Sequence, residues 1–116
     1  MERPQINTAV PKRRYHIGSF QAVVLGDIES PDENSYFFIL AVVPEGEEDP
    51  VLYVISEEVV TDDDTRATVI TVRADGGEKV LGPDPGWRDI ERFADDAVAI
   101  VQRVMRLTDE TPNRLM

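Results

Sequence analysis

The chain has no cysteine, one histidine and two lysines in 116 residues. Each scarcity removes a class of chemistry. Without cysteine there is no disulfide framework, no thiolate metal site and no thiol nucleophile. With His16 alone, a catalytic base at neutral pH has one conventional candidate. Ser19 follows three residues later, an odd separation that sends the two side chains to opposite faces of a regular strand, so they do not form a relay. No apolar run approaches membrane-spanning length, and Met1 to Tyr15 lacks the apolar centre of a signal peptide. The expectation is a cytoplasmic domain with no membrane contact.

Another scarcity is local. From Asp27 to Asp64 there is no Lys or Arg, while thirteen carboxylates fall in those 38 residues. The rest of the chain is close to neutral, so this stretch supplies nearly all of the formal charge of -11. A chain this acidic repels a phosphate backbone, and no nucleic-acid partner is expected. At 41% hydrophobic and 30% charged the chain has the composition of a folded domain, and 116 residues suit one core.

The acidic stretch also holds the two most apolar runs, Tyr36 to Val43 and Val51 to Ile55. Prolines punctuate the chain outside the regular segments. Residues 1–14, with Pro4, Pro11 and Lys12-Arg13-Arg14, read as a flexible basic arm. A first strand is predicted from Tyr15 to Leu25. A second, Ser35 to Val43, is apolar on both parities and reads as central. A third runs from Val51 to Ser56 and a fourth, rich in β-branched residues, from Arg66 to Ala74. Asp75-Gly76-Gly77 signals a hairpin into a short fifth strand, Lys79 to Leu81. Asp84 as cap and Pro85 at the first helical position open an amphipathic helix to about Leu107. Residues 15–110 form one domain, and 111–116 are predicted as a disordered tail.

Sequential strands with short connections, then one helix, predict an α+β fold: an antiparallel meander of four or five strands with the helix on one face. Alternate turns of a meander share an end of the sheet. That places Asp27, Glu29, Asp32, Glu33, Glu57, Glu58, Asp62, Asp63 and Asp64 at one end, which Asp84 also reaches. Clustered carboxylates attract a basic protein surface, and these nine are the candidate partner-binding residues. Asp62-Asp63-Asp64 lacks the alternate spacing, glycine and distal glutamate of a calcium loop, so no metal site is assigned. No cofactor and no catalytic residue is assigned.

A helix of that length covers only part of a five-strand sheet. The apolar second face then needs a cover: a second copy in a homodimer, the sheet's own curl, or the N-terminal arm. The functional expectation is a non-enzymatic, dimeric interaction or accessory module offering acid to a basic partner. The alternative is a small-molecule binder or enzyme with a pocket between sheet and helix, walled by Phe20, Tyr36, Tyr53 and Trp87 with His16 as base.

Overall fold

The computed structural model describes residues 2–31 and 35–116. The fold is α+β. Strands β1 (Thr8–Ile17), β2 (Phe20–Glu29), β3 (Ser35–Pro44), β4 (Leu52–Val60), β5 (Arg66–Ala74) and β6 (Gly77–Leu81) follow in sequence order. A 3₁₀ turn (Pro85–Arg88), helix α1 (Ile90–Val104) and the two-residue strand β7 (Asn113–Arg114) complete the chain. The sheet is an antiparallel meander in the order β6-β5-β4-β3-β2-β1-β7.

Seven strands replace the four or five expected, with one additional strand at each terminus. The segment predicted as one strand from Tyr15 is the junction of two. Ile17 pairs with Phe20 across a two-residue turn in which Gly18 has φ +59°, a conformation open to glycine. Thr8 to Arg14, expected as part of a flexible arm, therefore belong to β1. Polar residues and a proline suit this position because β1 has β2 on one side and only β7 on the other. Bulges beside Pro11 absorb its missing N–H. At the other terminus, Asn113 and Arg114 pair with His16 and Tyr15, so part of the predicted tail is sheet.

The helical region also differs. Asp84 accepts a hydrogen bond from the Gly86 amide and opens only the 3₁₀ turn. A second cap, Asp89, accepts from the Arg92 amide and starts α1. The helix stops at Val104 rather than Leu107. Arg106 takes φ +57°, and the Leu107 amide reaches back to the Gln102 carbonyl, a left-handed C-terminal closure.

The principal core lies between this helix and one sheet face. Val24, Leu40, Val42, Leu52, Val54 and Ile70 meet Phe93, Ala97 and Val101, all at or below 1% exposure. Trp87 seals one end of it. Its indole N–H donates to Asp96 and its backbone carbonyl accepts from the buried Ser56 hydroxyl. A Cβ at Gly82 would stand 2.6 Å from the Trp87 ring, so a side chain at this position would displace the indole.

The second face carries its own cluster of Ile39, Tyr53 and Ile55. The N-terminal segment helps to cover it. Ile6 packs on this cluster, the Ser30 hydroxyl donates to the Gln5 carbonyl, and Arg3 pairs with Asp49 at 3.1 Å. Of the three covers considered for this face, the arm is present within the chain.

Candidate functional site

Meander parity places the β2–β3 and β4–β5 connections at one end of the sheet, together with the approach to α1. Strands β2 and β4 stand two steps apart, about 10 Å. The two connections that carry acidic residues therefore share one end of the sheet. What each carboxylate does there differs from residue to residue.

Asp27 and Glu29 lie in β2 rather than in a turn, and Glu57 and Glu58 lie in β4. Asp27 is bound by Lys12 at 2.7 Å. Glu57 accepts the Thr71 hydroxyl at 2.9 Å on the second sheet face. Glu58, its side chain 19% exposed, sits between Arg66 at 3.5 Å and Arg88 at 3.6 Å. Arg88 also lies over the Phe37 ring, 5.0 Å from its centroid, and donates to Thr68. These three carboxylates are neutralised or bonded by the chain itself. Asp84 is likewise held by Arg92.

The β4–β5 turn is built on Asp63. Its carboxylate accepts from the Thr61 hydroxyl and, at 3.3 Å, from the Thr65 amide, while Thr61 also bonds the Thr65 carbonyl. Asp64 takes φ +62° to close the loop. The Thr61 hydroxyl bond, followed by those from Thr65, holds the Asp63 carboxyl below the usual aspartate value. A carboxylate depressed in the fold stabilises it above the unfolded pKa, and that contribution disappears as pH falls through the lower folded value. A carbon-detected acid titration is therefore expected to place the Asp63 midpoint below 3.8. Thr61→Val should bring it back towards 3.8; a midpoint unmoved by that change would refute the assignment.

Glu29, Asp62 and Asp64 are exposed and make no side-chain hydrogen bond or ion pair among the described residues. Asp32 and Glu33 lie outside the described residues. The seven described carboxylates thus divide into Glu29, Asp62 and Asp64, which are free of side-chain partners, Asp63, which is exposed and bonded within its own turn, and Asp27, Glu57 and Glu58, which are engaged by cations or a hydroxyl from other strands. Among the described residues no three His, Asp or Glu side chains are placed to hold a metal ion. No helix among them is long and apolar enough to cross a membrane.

Acid also gathers at the opposite end of the sheet, in the β3–β4 loop. Glu45 pairs with His16 at 2.8 Å and Asp49 with Arg3, while Glu47 and Glu48 are exposed. The histidine is therefore held by a carboxylate at the end away from the Asp62–Asp64 turn. Three of the four basic residues of the N-terminal region act on the chain's own acids: Arg3 on Asp49, Lys12 on Asp27, and the buried Arg13 on Glu91 of α1.

The four aromatic residues considered as walls of a pocket do not meet. Phe20 and Trp87 belong to the helix-side core, and Tyr36 and Tyr53 to the second face. Burial raises both tyrosine hydroxyls above their ordinary value; for Tyr36, nearby Arg73 opposes the shift. A cleft between sheet and helix does exist, at a different place. It lies between the β5–β6 hairpin and the last turns of α1, with a volume of about 340 Å³. The sequence pattern held no motif for it, because its walls come from two separate segments, residues 72–81 and 100–104.

Comparison with protein-family models, with curated proteins and with solved structures finds no match to this chain.

Proposed function

We propose that this chain is a non-enzymatic interaction module that presents Glu29, Asp62, Asp63 and Asp64 to a basic protein partner. The observation that carries this reading is the distribution of the chain's own cations. Among the described residues seven of the twelve Lys and Arg side chains are in ion pairs, and none of them reaches Glu29, Asp62 or Asp64. Carboxylates left together without counter-charge repel one another, and a basic surface docking there relieves that repulsion and gains in association rate. Asp63 fixes the turn, so the acids on either side are presented from a defined loop. The reactive groups support a binding role over a catalytic one. The single histidine is tied to Glu45 at the other end.

The test compares three immobilised proteins: the native chain, the Asp62→Lys/Asp63→Lys/Asp64→Lys variant, and a Glu47→Lys/Glu48→Lys control at the opposite end. The native chain and the control are expected to retain the same basic protein, eluted by moderate salt, and the triple variant to lose it. Equal retention by all three, with each variant shown to be folded, would reject the reading.

A further inference from the structure

Helix α1 packs over β3 and β4, and the sheet continues past it through β5 to the edge strand β6. The overhang forms the 340 Å³ cleft, at the lower end of the roughly 300–1,000 Å³ typical of small-molecule sites. Val72 and Leu81 line it from the sheet, and Ile100 and Val104 from the helix. Val104 is 48% exposed and opens the lining to solvent, while Val72 and Ile100 form its floor as buried members of the helix-side core.

Two cations line the same cleft, Lys79 from β6 and Arg103 from α1. The β5–β6 register sets Lys79 opposite Val72, a helix-side core residue, so the lysine is on the helix side of the sheet. The chain has 23 carboxylates for 12 Lys and Arg. Seven of those cations are in ion pairs among the described residues, but Lys79 and Arg103 are not, and neither makes a side-chain hydrogen bond there. Glu78 is the one carboxylate in the lining, and it is engaged by Arg73 at 3.3 Å. An apolar cleft bordered by two uncompensated cations, on a protein of net charge -11, is a local reversal of the molecule's field. Long basic side chains can lay their stems along apolar walls while their heads stay in water, where an anionic head group would meet them.

We infer that this cleft binds a small amphipathic carboxylate, its apolar chain between Val72, Leu81, Ile100 and Val104 and its head on Lys79 and Arg103. A peptide fits less well. Its backbone amides would enter the apolar lining with only the short outer edge of β6 to satisfy them.

Octanoate is the probe, with 1-octanol supplying the tail without the charge and acetate the charge without the tail. Amide chemical shifts of the whole chain are followed during each titration. Octanoate is expected to give saturable shifts at residues 72–81 and 100–104, octanol weaker ones at the same amides, and acetate none. Lys79→Gln/Arg103→Gln should weaken octanoate about tenfold, as two exposed ion pairs would allow, and leave octanol unchanged. Both residues are exposed, and an unchanged melting midpoint without ligand will show that the variant is folded. Three results would overturn the inference: no saturable shift with octanoate, equal octanoate affinity in the variant, or cleft shifts produced by a hexaglutamate peptide and not by octanoate.

Discussion

Phe93→Ala is expected to cost about 3–5 kcal/mol, a large part of the roughly 5–15 kcal/mol that stabilises a domain of this size. Phe93 is fully buried on the inner face of α1 and stacks on Phe38 of β3, with ring centroids 5.5 Å apart. Its removal combines lost transfer energy, a cavity between helix and sheet, and loss of an aromatic pair worth about 0.5–1.5 kcal/mol. The sheet forms most of its contacts strand to strand, so the helix depends on this face for its place. Urea unfolding should show a lower midpoint, and heating a midpoint lower by on the order of 10–20 °C. Val80→Ala, at an exposed edge-strand position, should stay within about 0.5 kcal/mol of the native chain. Comparable losses in the two variants would contradict the assigned core.

The second large effect concerns the other face. Removing the residues before Asn7 takes away Ile6, the Gln5–Ser30 bond and the Arg3–Asp49 pair together. Ile39, Tyr53 and Ile55 would then lose part of their cover. The expected cost is about 2 kcal/mol, from partial loss of one aliphatic side chain and its neighbours' burial. The more diagnostic change is in solution mass. A chain whose own segment covers this face should scatter light as a monomer at low and high salt, and the shortened chain should self-associate through the exposed patch. Ile6→Asp is a milder variant that keeps the backbone in place and should move in the same direction. A native chain that is a dimer at both salts, or a shortened chain that stays monomeric and equally stable, would show that the segment is not the cover.

The central strands and the helix were legible because their apolar patterns are long and bounded by proline or charged turns. Arg66–Ala74 has the predicted bounds, and Ser35–Pro44 differs by one residue. The first hairpin was not legible. Apolar alternation continues from Ile17 to Leu25 across Gly18-Ser19, and the basic, proline-containing start of β1 looks like an arm when its partner strand is not known. An edge strand tolerates what a central strand does not. The helix was legible as a surface but not as two pieces, since Asp84 and Asp89 are both competent caps and pattern alone does not choose between them.

That the β2–β3 and β4–β5 connections share an end of the sheet was legible through meander parity alone. Which acids remain free was not, because Lys12, Arg66 and Arg88 reach Asp27 and Glu58 from distant or non-adjacent positions. The same holds for the cleft. Lys79 and Arg103 are ordinary surface cations in the sequence, and become informative only where the fold leaves them without acids beside an apolar lining.

The most direct test of the proposed function is an amide chemical-shift map of the chain titrated with a lysine-rich peptide. The account predicts salt-sensitive shifts concentrated at Glu29 and Thr61 to Thr65, abolished in the Asp62→Lys/Asp63→Lys/Asp64→Lys variant and retained in Glu47→Lys/Glu48→Lys. Shifts spread evenly over both acidic ends, or confined to Glu45 to Asp49, would contradict it.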